Sequence, residues 1–116
     1  MNKKKAEFLA GLAKKLRYVE KMNIAFSVVH LEIYPESSGC FFATARKNGL
    51  IEKELAEKLQ WSDQFSEYFK VKIKDAGRFL FVGRMDNQIQ DHTTGRTYYK
   101  YCKELLTKYK HGDLLD

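Results

Sequence analysis

Proline is almost absent from this 116-residue chain, which holds one, Pro35, and glycine is sparse at seven scattered positions. No stretch is rich enough in Gly, Ser or Pro to act as an interdomain linker, so residues 1–116 read as a single domain. Cysteine is nearly as scarce. Cys40 and Cys102 stand far apart and form no C-x-x-C pair, which excludes a disulfide framework and a zinc site of the usual spacing. Both read as small hydrophobes in a reducing, cytoplasmic setting. No uninterrupted apolar run exceeds four residues, as in Phe79-Leu80-Phe81-Val82, so the sequence predicts neither a membrane span nor the apolar stretch of a signal peptide. P-loop, dinucleotide-turn, H-E-x-x-H and G-x-S-x-G patterns are missing. So are zinc-finger spacing, a basic region joined to heptads, and the glycine-punctuated aromatic strand of RNA-recognition domains. No cofactor or metal is implied.

What is present is ordinary globular composition, 44% hydrophobic and 31% charged, with 8 Phe, 7 Tyr and 1 Trp to fill a core. These proportions exclude a disordered chain. Residues 3–22 bring Phe8, Leu12, Leu16 and Val19 into a narrow arc at 100° per residue, with Leu9 at its edge, which predicts an amphipathic helix. Residues 24–34 turn β-branched and aromatic. There Ile24, Phe26 and Val28 share one face and Val29, Leu31 and Ile33 the other, a strand with a bulge or one covered on both sides. Residues 35–39 have turn composition, residues 40–47 read as the returning strand, and Asn48-Gly49 closes the unit through residues that tolerate positive φ. A helix is expected over residues 50–61, with Ile51, Leu55 and Leu59 on one side and glutamates at its start. Residues 62–67 fit either a short helical turn or a loop. From Tyr68 a period of two places Phe69, Val71 and Ile73 inward and Lys70, Lys72 and Lys74 outward. Asp75-Ala76-Gly77-Arg78 reads as the turn into a strand over residues 79–85. A polar loop covers residues 86–96, and a last helix, capped by Thr93 or Thr94, covers residues 97–110 with Tyr98, Cys102, Leu105 and Tyr109 as its apolar stripe. The expected fold is therefore α+β, a two-layer domain of order α-β-β-α-β-β-α: two hairpins forming a mostly antiparallel four-stranded sheet, with three helices.

The net charge is +6, and it is unevenly distributed. Residues 1–22 hold seven Lys and Arg against two acids and residues 70–110 hold ten against four, whereas residues 23–69 hold four against seven. Such polarity points to a polyanionic partner. The residues expected to contact nucleic acid are Lys14, Arg17 and Lys21 on the first helix, Lys70, Lys72 and Lys74 on the third strand, and Arg96, Lys100 and Lys103 on the last helix. Tyr99 and Tyr101, at the margins of the last helix's stripe, are the expected stacking residues. Contacts of this kind position a backbone and do not read sequence. The alternative is a protein-interaction module, a regulator or inhibitor docking on an acidic protein surface, or a homodimer pairing an acidic middle with a basic end. Loop residues 86–96 carry Asp86, Asp91, His92, Thr93, Thr94 and Arg96, with Arg84 just before them. That set would support anion or cation binding, or catalysis with His92 as general base, only if the side chains converge. Turn-making accounts for the same residues, so the reading leans against an enzyme.

Overall fold

The computed structural model describes residues 1–23, 40–81 and 92–116, with the side chains of Asn23, Cys40 and His92 left aside. Among the described residues there are six α-helices: α1 (Lys3–Leu16), α2 (Cys40–Lys47), α3 (Lys53–Leu59), α4 (Ser62–Phe69), α5 (Ile73–Leu80) and α6 (Gly95–Lys108). A 3-10 turn, Gly112–Leu115, follows α6. The four-stranded sheet is not found among the described residues. Extended pairing among the described residues amounts to β1 (Met22–Asn23) against β2 (His92–Thr93), antiparallel, with Met22 opposite Thr93 and Asn23 opposite His92. The α+β expectation is thus corrected to a mostly helical fold. The expected strand over residues 24–34 lies outside the described residues.

Each misread segment has a physical reason for being helical. In α2 the buried side chains are Phe41, Phe42 and Ala45, the i, i+1, i+4 spacing of one helix face rather than the alternation of a strand. The segment ends in a Schellman reversal: Leu50 N–H donates to the Ala45 carbonyl and Gly49 N–H to that of Arg46, both at 2.9 Å. Gly49 sits at φ +72. The positive φ expected there is real, but it terminates a helix instead of closing a hairpin. In α4, Phe65 and Phe69 are fully buried one turn apart. In α5 the buried residues are Asp75, Ala76, Phe79 and Leu80, so the tetrad read as a turn lies inside a helix. The Phe69/Val71/Ile73 alternation straddles the reversal between α4 and α5, where Lys70 adopts the left-handed region at φ 56. Ile73, expected inside, is 59% exposed.

The two long helices stand where the periodicity puts them, with shifted ends. Asn2 Oδ1 caps α1 by accepting from Lys5 N–H at 2.9 Å, and α1 stops at Leu16, six residues before Met22. Its last turn tightens as Val19 N–H reaches the Leu16 carbonyl, and the Val19 carbonyl then accepts from Gly95 N–H at 2.7 Å. The face of α1 that enters the core is Ala6, Leu9, Ala10, Leu12, Ala13 and Leu16, so small alanines allow close approach while Phe8 stays partly exposed. Thr94 caps α6 as expected, accepting from Thr97 N–H at 3.2 Å. Tyr98, Cys102, Leu105 and Leu106 are buried.

α1 and α6 run antiparallel. At one end, a Cβ on Gly95 would collide with the Leu16 carbonyl and crowd the Arg17 backbone, so only glycine lets the start of α6 sit on the end of α1. At the other, His111 Nε2 lies 3.1 Å from the Met1 carbonyl. Between the helices, rings interlock. Phe41 meets Phe42, Phe79 and Tyr98 at centroid distances of 5.1, 5.1 and 5.2 Å, and Phe65 meets Phe69 and Phe79 at 4.6 and 5.4 Å. Tyr98 spends its one buried polar atom on the Leu80 carbonyl at 3.0 Å, so the cluster carries no orphaned hydroxyl.

Candidate functional site

The antiparallel pairing of α1 with α6 decides where the cations go. The C-terminal turn of α1 carries Lys14 and Lys15, followed by Arg17 and Lys21, and α6 carries Arg96 and Lys100 in its first half and Lys103 just past its middle. All seven are exposed. Arg96, Lys100 and Lys103 recur at i, i+4 and i+7, and that face points away from the buried Tyr98, Cys102 and Leu105. Arg17 bridges the two helices, its guanidinium 4.4 Å from the centre of the Tyr99 ring. Among the described residues, Glu20 and Asp116 lie beside these cations, Asp116 3.3 Å from Lys103 Nζ, and Glu104 follows Lys103 on α6 and pairs with Arg78. Both partners of the Lys103–Asp116 pair are exposed, and such pairs contribute little.

Lys70, Lys72 and Lys74 do not join it. They fall on the α4–α5 reversal beside the start of α1: the Lys70 carbonyl accepts from the Met1 amino group at 3.3 Å, and Lys72 N–H donates to the Tyr109 hydroxyl at 2.7 Å. The 14 residues of α1 separate the two sets, a span of roughly 21 Å at 1.5 Å per residue. No row of lysines along a strand exists, because no strand exists there.

The two tyrosines expected to stack are otherwise engaged. The Tyr99 hydroxyl donates to the Leu115 carbonyl at 2.8 Å and its ring carries Arg17. Tyr101 is half-buried with Arg78 5.2 Å from its ring centre, lining a groove of about 210 Å³ with Asp75, Phe79, Glu104, Leu105 and Lys108. The most exposed aromatic among the described residues is Tyr18, 76% accessible and 5.6 Å from the Arg17 guanidinium. Sequence reasoning passed over it because the helix was extended through residue 22. The available signal was an aromatic off the apolar stripe between Arg17 and Lys21. Tyr18 also lines a cavity of about 400 Å³ with Val19, Glu20, Thr94 and Arg96.

Of the loop weighed for catalysis, residues 86–91 and the His92 side chain lie outside the described residues. Thr93 is buried and Thr94 is committed to capping. Among the described residues no three His, Cys, Asp or Glu side chains gather where a metal ion would sit. Burial pushes the Cys102 thiol far above its ordinary range, leaving it protonated and inert. Among the described residues the one buried carboxylate is Asp75, which accepts from Lys108 Nζ at 2.9 Å and from the Tyr109 hydroxyl at 2.7 Å. Burial alone would raise its pKa. The two hydrogen bonds, with the charges of Lys108 and Lys74, outweigh that and hold the carboxyl below its ordinary value. Tyr109 moves the other way: burial, opposed by the Lys72 N–H and reinforced by Asp75, raises its phenol. The arrangement ties α5 to the end of α6 and is structural in character.

No described helix is long and apolar enough to cross a membrane. Comparison of the chain with protein-family models, curated proteins and solved structures finds no match.

Proposed function

We propose that the protein binds nucleic acid through the backbone phosphates, on the surface where the end of α1 meets the start of α6. The observation that supports this most is the gathering of Lys14, Lys15, Arg17 and Lys21 with Arg96, Lys100 and Lys103 where the end of α1 lies against α6, with Glu20, Glu104 and Asp116 as the acids beside them among the described residues. Cations so placed gain affinity by releasing condensed counterions from a polyanion. Tyr18, exposed beside Arg17, replaces Tyr99 and Tyr101 as the stacking residue, and favours unpaired strands. Lys70, Lys72 and Lys74 fall outside this contact surface. The reading takes residues 1–116 as one domain working in the cytoplasm, in keeping with the buried free thiol of Cys102.

The alternative, docking on an acidic protein surface or self-association, calls for a contiguous apolar patch. Among the described residues the large exposed hydrophobics are Tyr18, Trp61 and Ile73. Trp61 and Ile73 precede and follow α4 and so mark its two ends. That spacing favours no patch. The test is titration with short single- and double-stranded oligonucleotides across a salt series. Binding at low salt that falls with a log–log slope of roughly −3.5 to −5 for single strands is expected if about five to seven phosphates are neutralised. Absent or salt-indifferent binding refutes the reading.

A further inference from the structure

The cavity between the segment after α1 and the start of α6 contains a group that works against phosphate binding. Exposed Glu20 lines it together with Tyr18, Val19, Thr94 and Arg96, and this carboxylate makes no ion pair or hydrogen bond with any described residue. Amid seven cations an unpaired acid lowers affinity for a phosphate backbone, yet it is the natural acceptor for a donor edge of a base. Tyr18 offers an exposed ring face. Arg96 offers a guanidinium at the N-terminus of α6, and its own backbone N–H is the one left free there: that of Gly95 goes to Val19, and those of Thr97 and Tyr98 go to Thr94. A phosphate is well served at that position. A volume of about 400 Å³ falls in the range of small-molecule sites.

We propose that this cavity is a subsite for one unpaired guanine of a single-stranded nucleic acid, the base stacking on Tyr18, its N1–H and N2–H donating to the Glu20 carboxylate, and the adjoining phosphate bound by Arg96. The proposal rests on the nucleic-acid reading above and goes beyond it by making the contact base-selective. Guanine is singled out by hydrogen-bond arithmetic. It alone presents two parallel donors on its Watson–Crick edge. Adenine and cytosine each set a ring-nitrogen acceptor beside their amino group, and thymine or uracil flanks its single N–H with two carbonyls, so in each case a carboxylate meets a lone pair.

The experiment is fluorescence anisotropy at low salt with labelled oligothymidylates carrying one central guanosine, adenosine, cytidine or inosine. The expected result is about tenfold tighter binding of the guanosine oligonucleotide than of the adenosine or cytidine ones, with inosine, which lacks the 2-amino group, in between. Glu20→Gln should abolish that preference while binding plain oligothymidylate at least as well as the wild type, because it removes a negative charge from the exposed surface without touching the core. Tyr18→Ala should weaken all the oligonucleotides about tenfold, and Tyr18→Trp should restore them. Equal affinity of the wild type for all four, or a guanine preference that survives in Glu20→Gln, overturns the subsite and leaves backbone binding standing. No binding to any oligonucleotide overturns both.

Discussion

Replacing Asp75 is the sharpest probe of how this fold is held together. The residue is 8% exposed and its two carboxylate oxygens are divided between Lys108 Nζ at 2.9 Å and the Tyr109 hydroxyl at 2.7 Å. The Tyr109 oxygen in turn accepts from Lys72 N–H at 2.7 Å, so one side chain links the start of α5 to the end of α6. Hydrogen bonds to a charged group contribute about 1.5–3 kcal/mol each. The Lys108 side chain is 47% exposed and returns to water when released, which puts its share at the low end, whereas the half-buried Tyr109 hydroxyl loses its acceptor outright. Asp75→Ala should therefore cost about 3 kcal/mol, a fall in Tm on the order of 10 °C for a domain of this size. Because the folded pKa of Asp75 lies below its ordinary value of 3.8, its contribution is complete above that pH and is lost as the pH falls through the folded value. Urea denaturation of wild type and variant at neutral pH and at steps below pH 4 measures both effects. The difference should narrow on the acid side, and a double-mutant cycle with Lys108→Met should return a coupling energy of about 1 kcal/mol. A neutral-pH difference under about 0.5 kcal/mol, within the range of an ordinary surface substitution, or one that persists unchanged in acid, would refute the account.

Two further outcomes test the helix junctions. Gly95→Ala should destabilise by 2 kcal/mol or more, about the upper half of the overpacking range, because the added methyl meets the Leu16 carbonyl and Arg17 backbone rather than a side chain able to swing away; an unchanged Tm would show that α1 and α6 do not approach as described. Lys110, at φ 68 in the reversal that ends α6, should accept glycine with a gain of about 0.5–1 kcal/mol, since a left-handed residue with a Cβ is strained. Thermal melts of Lys110→Gly would show this as a higher Tm, and a lower one would count against the reversal.

The long helices were readable because 14 residues span almost four turns, enough for the stripe of Leu12, Leu16, Tyr98, Cys102 and Leu105 to separate from its polar surroundings. Helices α2 to α5 have seven or eight residues each, two turns, over which a helical face and a strand face contain nearly the same number of apolar positions. Of these α3 alone is expected as a helix from the sequence, and over α4 the sequence leaves a short helical turn and a loop as alternatives. In α2 the adjacent Phe41 and Phe42 carried strand-like composition, and the alternation over residues 69–73 arose from a chain reversal interrupting two helices. Gly77 deepened the error by resembling a turn inside α5. At the candidate surface, Lys14, Arg17, Arg96, Lys100 and Lys103 were identifiable as exposed charge, since helix periodicity alone places them outside. The fate of Tyr99 was not, because only the 3-10 turn after α6, folding back, supplies the carbonyl that takes its hydroxyl.

The aromatic cluster carries a consequence for cooperativity. Its rings come from α2, α4, α5 and α6, and a two-turn helix is well below the length at which an isolated helix persists in water. No one of these short helices has an independent existence: each is ordered by rings borrowed from its neighbours. Losing Phe65 from the centre would loosen α2 and α5 along with α4, and the backbone amides of all three should open to solvent exchange together, as one unit.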